Sequence, residues 1–99
     1  MYKLEFDRRA KKEFDKLGVT IRRRFQHKLA ERLLNPRVDA DRLSDLPDCY
    51  KIKLRSDGYR MIYRVEDDVV VVFVIAIGQR DSGKRDVYDV AAARLAPPK

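Results

Sequence analysis

Apolar and polar positions change period along the chain, and the first change separates a strand from a helix. Tyr2, Leu4 and Phe6 alternate with charged residues, which is the pattern of a half-buried strand. The next apolar positions lie three and four residues apart, which predicts a short helix that Asp7 caps and Gly18 ends. The inward positions of this helix are Ala10, Phe14 and Leu17.

A second and longer helix is predicted after Thr20. One apolar position recurs every four residues and basic residues cover the rest of the surface, as in a helix that packs on one side only. The apolar positions are Ile21, Phe25, Leu29 and Leu33. Asn35 and Pro36 end the helix. The segment from Asn35 to Pro47 predicts an acidic connection with one helical turn.

The strongest local signal is a hairpin centred on Asp57 and Gly58. Apolar and cationic residues alternate before this dipeptide, and apolar and polar residues alternate again after it. Asp-Gly between two alternating runs favours a two-residue turn, because both turn positions need positive φ. This register pairs Arg55 with Arg60, Lys53 with Ile62 and Lys51 with Arg64.

Two further elements complete the predicted fold. Residues Val69 to Ile77 are apolar throughout, which predicts a central strand buried on both faces, and Asp86 to Leu95 suit a short helix. Residues 96–99 are expected to fray. The order β-α-α-β-β-β-α predicts one α+β domain over residues 1–99. Its four-stranded sheet is mostly antiparallel, the two N-terminal helices pack on one face, and the C-terminal helix is short.

Composition restricts the class of protein. The single cysteine, Cys49, excludes an internal disulfide and a site built on several cysteines. The longest apolar stretch has nine residues, whereas a membrane helix needs about 20. We therefore expect a soluble, cytoplasmic protein that does not enter membranes.

The net charge of +7 is concentrated in two blocks. Residues 8–37 contain eleven Lys and Arg against three Asp and Glu, and residues 51–64 contain five against one. Blocks of one sign indicate a polyanion or an acidic protein as partner, although a solvated basic surface would have the same composition.

The predicted hairpin collects cations on one face. Two unit charges about 5 Å apart repel by roughly 3 kcal/mol at an effective dielectric near 20, before screening by salt. A face that mixes both signs would avoid this cost, so charges of one sign indicate a ligand such as phosphate. The face consists of Lys51, Lys53, Arg55, Arg60 and Arg64 around Ile62.

The chemistry available to this face is limited to cations and tyrosines. His27 is the one histidine, which excludes a pair of imidazoles, and we expect it to be a surface residue. The acidic residues are scattered, so we expect no metal or other cofactor. RNA can still be cut, because its 2′-hydroxyl can attack the adjacent phosphate when the protein orients the backbone and stabilises the developing charge.

The sequence resembles RelE-type toxins of the RelE/ParE superfamily over nearly its whole length. The resemblance is strongest from Pro47 to Tyr63, which reads PDCYKIKLRSDGYRMIY. It extends to VVFVI at Val71–Ile75, then Gly78 and Arg80, and to the early residues Arg8, Arg9, Ala10, Phe14, Lys16, Leu17 and Gly18. It implies a metal-independent endoribonuclease that cuts messenger RNA in the ribosomal A site and inhibits translation.

The resemblance also implies roles for individual residues. Lys51 and Lys53 match the two lysines of the first hairpin strand, with Lys53 the candidate base. Arg60 matches a phosphate-stabilising arginine, and Arg80 an acid or charge stabiliser. Tyr88 matches a tyrosine that stacks on a codon base, although the segment before it is about two residues longer than the family pattern, and a tyrosine that packs on the sheet is the alternative. Further RNA contacts are predicted for Arg22, Arg23, Lys28, Arg55 and Arg64.

The implied partners are messenger RNA on the ribosome, with its ribosomal RNA, and an acidic RelB-like antitoxin. Contact with operator DNA is expected only through the complex with the antitoxin. Two alternatives stay open at this point: a ParE-like toxin that inhibits gyrase, and a nucleic-acid-binding module without catalysis.

Overall fold

The secondary structure has the predicted order of elements. The protein is represented by a computed structural model that describes residues 1–55, 58–79 and 86–96. Its elements are β1 (Lys3–Phe6), α1 (Arg8–Asp15), α2 (Val19–Leu34), β2 (Cys49–Leu54), β3 (Tyr59–Glu66), β4 (Val71–Gln79) and α3 (Val87–Leu95). A single 3₁₀ turn at Asp39–Asp41 lies in the acidic connection, as expected. Of the residues 96–99 that were predicted to fray, Ala96 is the C-terminal cap of α3, and 97–99 lie outside the described residues.

The four strands form one mixed sheet in the order β1-β4-β3-β2. β1 runs parallel to β4, and the other two pairs are antiparallel. Because β4 is central, its residues are buried on both faces, and Val72, Val74 and Ile75 are fully buried. The sheet is therefore mostly antiparallel, as predicted, with one parallel edge strand.

Helices cover both faces of the sheet. Ala10 and Phe14 of α1 and Phe25 and Leu29 of α2 are buried in a core on one face, which confirms the predicted helical faces. α3 packs on the other face, where Ile62 and Ala76 of the sheet form a smaller core with Val87 and Ala91. The described residues include no helix that is both long and apolar enough to span a membrane.

Outside the β2–β3 hairpin, three local predictions were wrong. The central strand begins at Val71, since Val69 and Val70 lie in the preceding turn and are 55% and 44% exposed. Gly18 does not end α1, which stops at Asp15; it is the N-terminal cap of α2, which begins before Thr20. On β1, Leu4 is exposed, so the strand is less buried than its alternation indicated.

Asp7 caps α1 as predicted, and this contact gives a pH-dependent contribution to stability. Its carboxylate accepts hydrogen bonds from the Arg9 backbone and side chain, and these bonds lower the pKa of Asp7 to about 2, from 3.8. We expect Asp7→Ala to lower the free energy of unfolding by about 1 kcal/mol at pH 7. Because the folded pKa lies below the unfolded one, the contribution is complete above pH 3.8 and disappears as the pH falls through 2. Urea unfolding of wild type and Asp7→Ala should therefore give free energies of unfolding whose difference becomes smaller as the pH falls. A difference that stays constant with pH would contradict this role of Asp7.

Candidate functional site

The β2–β3 hairpin forms the predicted cationic face, but with a different register. Leu54 pairs with Tyr59, so the connection contains residues 55–58 and is longer than the predicted two-residue turn. The Gly58 N–H donates to the Leu54 carbonyl at 3.1 Å, and Gly58 has φ +71°, which suits glycine. The predicted pairing of Arg55 with Arg60 is therefore wrong, because Arg55 lies in the turn, outside β2.

The new register brings Lys53 directly opposite Arg60, and Lys51 opposite Ile62. The shift is two residues, which is one full period of a strand, so each side chain stays on its predicted face. Opposed side chains in an antiparallel pair have Cβ atoms about 4.5–5.5 Å apart. Lys53 and Arg60 are thus the two cations that the described strands place directly opposite each other, and an anion between them would relieve their repulsion.

Arg60 has one hydrogen-bond donor that the described residues leave without an acceptor. Its Nη1 donates to the Gly58 carbonyl at 3.0 Å, which fixes the guanidinium at the hairpin end. Its Nε is buried and has no hydrogen-bond partner among the described residues. An unsatisfied buried donor costs about 1–3 kcal/mol, so an acceptor that reaches the Arg60 Nε would stabilise the guanidinium.

The sequence indicated a cationic face that is open across its whole width. In the structure, the centre of this face is covered. Its centre, Ile62, is fully buried and belongs to the core beneath α3. Lys51, Lys53, Arg60 and Arg64 are partly exposed around this covered centre. The candidate site is therefore the exposed margin of the face beside α3, where Lys53 and Arg60 meet.

Arg64 is the cation on this face that is most clearly neutralised. Its Nε and Nη2 both donate to Glu66 Oε2, at 3.1 and 2.6 Å, and its guanidinium lies 5.7 Å from the centre of the Phe73 ring. RNA binding by Arg64 stays a prediction, and it would require exchange of Glu66 for phosphate.

A groove joins the hairpin to α2 and unites the two basic blocks of the sequence. Lys53, Leu54 and Arg55 form one wall, and the groove has a volume of about 730 Å³. The wall from α2 consists of Thr20, Arg23, Arg24, His27 and Lys28. The structure thus places the predicted RNA-binding residues Arg23, Lys28 and Arg55 on the walls of the same groove as Lys53. Arg22 instead donates to the Asp15 carbonyl at 3.2 Å.

Sequence reasoning missed two members of this groove, Arg24 and His27. His27 was predicted to be a surface residue without a role, and Arg24 was not selected from its basic run. Arg24 is four residues from Lys28, and His27 is four residues from Arg23, so each lies next to a selected residue on the helix surface, which was the available signal.

The two remaining candidates are separated from this groove. Arg80 lies outside the described residues. Tyr88 is on α3, half-buried, and lines a cleft of about 270 Å³ with Leu43, Leu46 and Asp89 among others. Asp86 caps the helix by accepting from the Tyr88 N–H at 3.0 Å. The described residues thus place the Tyr88 ring against the acidic connection, and its stacking role stays a prediction.

An ion pair that sequence reasoning missed anchors α3. Arg94 donates to both Glu13 carboxylate oxygens, at 2.9 and 2.8 Å, and to the Ile75 carbonyl at 2.8 Å. Glu13 also accepts from the Ile77 N–H at 3.1 Å. Because β1 pairs with β4 only as far as Val74, these side chains satisfy the backbone of β4 beyond that point. The pair thereby connects α3, β4 and α1.

Comparison with known proteins identifies the class of this protein. Residues 4–82 match the family described as ParE toxin of type II toxin-antitoxin system, parDE. The chain therefore belongs to this toxin family.

Individual relatives narrow the comparison. The chain is 52% identical over 94 residues to mRNA interferase toxin RelE of Escherichia coli (strain K12), covering 95% of this chain and 97% of the relative. A mutant of E. coli toxin RelE in the free state matches with a TM-score of 0.85 and 50% identity, over 96% of this chain and 98% of the other. The same mutant in complex with an antitoxin RelBc peptide matches with a TM-score of 0.78 and 54% identity, over 83% and 86%.

Proposed function

We propose that this protein is the toxin of a toxin–antitoxin pair and cleaves messenger RNA in the ribosomal A site, which inhibits translation. The observation that carries the proposal is the Lys53–Arg60 pair, two partly exposed cations that lie directly opposite each other on neighbouring strands. The 52% identity with an mRNA interferase toxin over 95% of the chain supports the same reaction. We place its action in the cytoplasm, where translating ribosomes are found.

In the proposed reaction the ribose 2′-oxygen attacks the adjacent phosphorus. A new 2′-O–P bond forms and the P–5′-O bond breaks, which leaves a cyclic phosphate and a free 5′-hydroxyl. Lys53 accepts the proton of the 2′-hydroxyl, and Lys51 and Arg60 stabilise the charge on the phosphate oxygens. Arg80 supplies further charge or the proton for the leaving 5′-oxygen, and Tyr88 stacks on a codon base.

Direct assay of programmed ribosomes tests this proposal. Toxin added to ribosomes that carry a defined codon in the A site should produce fragments whose downstream ends are 5′-hydroxyls. Message that is bound but intact would favour a binding module without catalysis. The family description also names ParE toxins, so inhibition of DNA gyrase supercoiling without RNA cleavage would favour that alternative.

We further propose that the cleavage needs no divalent metal ion. The groups that face the phosphate are cations, so they supply the positive charge that a metal would provide elsewhere, and they repel a metal ion. We expect single-turnover cleavage in excess chelator to stay within about twofold of the untreated rate, since a lost metal catalyst would remove several kcal/mol of stabilisation. Sedimentation should confirm that the ribosomes remain assembled. Activity that disappears in chelator and returns with magnesium, on intact ribosomes, would contradict metal independence.

The proposed protein partner is an acidic RelB-like antitoxin, which would also carry the toxin to operator DNA. The two basic blocks form one surface along α2 and the hairpin, and such a surface attracts an acidic, disordered segment that folds on binding. We propose that the antitoxin displaces α3, a nine-residue helix whose buried residues are Val87 and Ala91.

A further inference from the structure

Arg32 of α2 reaches the open edge of the sheet and binds the backbone of β2. Its Nη1 donates to the Lys51 carbonyl at 3.1 Å and to the Tyr63 hydroxyl at 2.9 Å. Its Nη2 pairs with the Asp41 carboxylate at 2.5 Å, and the Arg32 side chain is only 11% exposed. One guanidinium therefore connects α2, the acidic connection, β2 and β3.

The bond to Lys51 follows from the position of β2 at the edge of the sheet. Alternate residues of an antiparallel edge strand direct their N–H and C=O groups away from the neighbouring strand. Lys51 is such a residue, so its carbonyl faces the side on which α2 lies and needs a hydrogen-bond donor there. Two residues earlier, the Cys49 carbonyl also points outward and accepts from the Leu43 N–H at 2.9 Å. These bonds fix the first half of β2 from its outer side.

The partners of Arg32 hold its guanidinium in place. Tyr63 is fully buried, and its hydroxyl donates to the Pro36 carbonyl at 2.5 Å while it accepts from Arg32. Burial lowers the pKa of Arg32, but the bonds to Tyr63 and Asp41 outweigh burial and raise it. The guanidinium thus stays charged, and its planar geometry matches three acceptors at once.

We propose that Arg32 is a positioning residue for RNA cleavage, which acts by fixing the backbone of Lys51 and hence the placement of Lys53 opposite Arg60. This inference rests on the function proposed above. Lys51 and Lys53 project from the same strand, two residues apart, so a shift of the Lys51 backbone moves both side chains relative to the scissile phosphate. A misplacement of 1 Å far from the chemistry can cost about 10²-fold in rate.

Arg32→Lys is the informative variant, because lysine keeps the charge but lacks the planar fork that joins three acceptors. Arg37→Lys is the matched control. Arg37 also has three partners, Asp48 at 3.1 Å, Asp67 at 2.6 Å and the Tyr50 hydroxyl at 3.3 Å, and none of them is a candidate catalytic residue. Each substitution removes an arginine that has three hydrogen-bond partners, but only Arg32→Lys removes the bond to the Lys51 carbonyl.

The experiment measures single-turnover cleavage on ribosome-bound message as a function of toxin concentration, under conditions where urea titration shows both variants to be folded. We expect Arg32→Lys to lower the saturating rate constant by about 10- to 100-fold, with little change in the half-saturating concentration. Arg37→Lys should stay within about twofold of wild type, because the three bonds of Arg37 go to side chains and not to the backbone of β2. The ¹³C resonance of the Lys51 carbonyl should move in Arg32→Lys and stay in place in Arg37→Lys.

Three results would overturn the inference. The first is an unchanged saturating rate constant in Arg32→Lys, and the second is an equal loss in Arg37→Lys, which would indicate general destabilisation. The third is a change confined to the half-saturating concentration, which would make Arg32 a binding residue. A wild-type toxin that leaves the message intact would instead remove the proposed function itself, together with any role of Arg32 in it.

Discussion

Lys53→Ala should lower single-turnover cleavage of ribosome-bound message by at least about a hundredfold, which is the contribution expected of a side chain that transfers a proton in the transition state. Lys53 lies opposite Arg60 on the cationic face, and it also borders the groove between the hairpin and α2. The neighbouring core residues Ile52 and Leu54 are buried on the other face and stay in place. Removal of a like charge opposite Arg60 should leave the free energy of unfolding unchanged or slightly increased.

Lys3→Ala is the matched control for this prediction. Lys3 is also a strand lysine, but it is exposed on β1, at the opposite edge of the sheet. Its removal subtracts the same charge from the protein and should leave cleavage within about twofold of wild type. Cleavage by Lys53→Ala at the wild-type rate would exclude Lys53 from the mechanism. An equal loss in both variants would mean that net charge, and no particular lysine, determines activity.

The elements of this fold could be predicted from the sequence because each follows from local periodicity. The register of the hairpin could not, since a shift of two residues keeps every side chain on its face and hydrophobic alternation cannot detect it. The start of β4 was misplaced for a related reason. Val69 and Val70 are as apolar as the strand that follows, and only the backbone, with φ of +57° at Val70, places them in a turn.

The candidate site was predicted in its cations but not in its surroundings. Lys53 and Arg60 follow from the hairpin pattern, whereas the contribution of α2 depends on how two distant segments pack. The same holds for Arg94, whose partner Glu13 is 81 residues away in the chain. The covered centre at Ile62 also required the structure, because the sequence does not indicate which face α3 occupies.

Weakening the Arg94–Glu13 pair should make the antitoxin bind more tightly if the antitoxin has to displace α3. The cost of releasing α3 is then part of the free energy of binding, and a weaker anchor lowers that cost. Charge-assisted hydrogen bonds contribute about 1.5–3 kcal/mol, and a saving of about 1.4 kcal/mol strengthens binding tenfold. We therefore expect Arg94→Lys and Glu13→Gln each to increase affinity for the antitoxin by about tenfold.

Hydrogen exchange and titration of the same variants distinguish displacement from simple coverage of the cationic face. In the free toxin, the amides of Val87–Leu95 should exchange faster in Arg94→Lys than in wild type, because α3 opens more often. In wild type, the same amides should lose protection when the antitoxin binds.

The two variants alter residues on different helices. If both bind the antitoxin more tightly, the cause is the ion pair that they share and not a direct contact of either residue with the antitoxin. Increased protection of Val87–Leu95 in the complex, or unchanged affinity in both variants, would exclude displacement. The antitoxin would then neutralise the toxin by covering Lys53 and Arg60 while α3 remains in place.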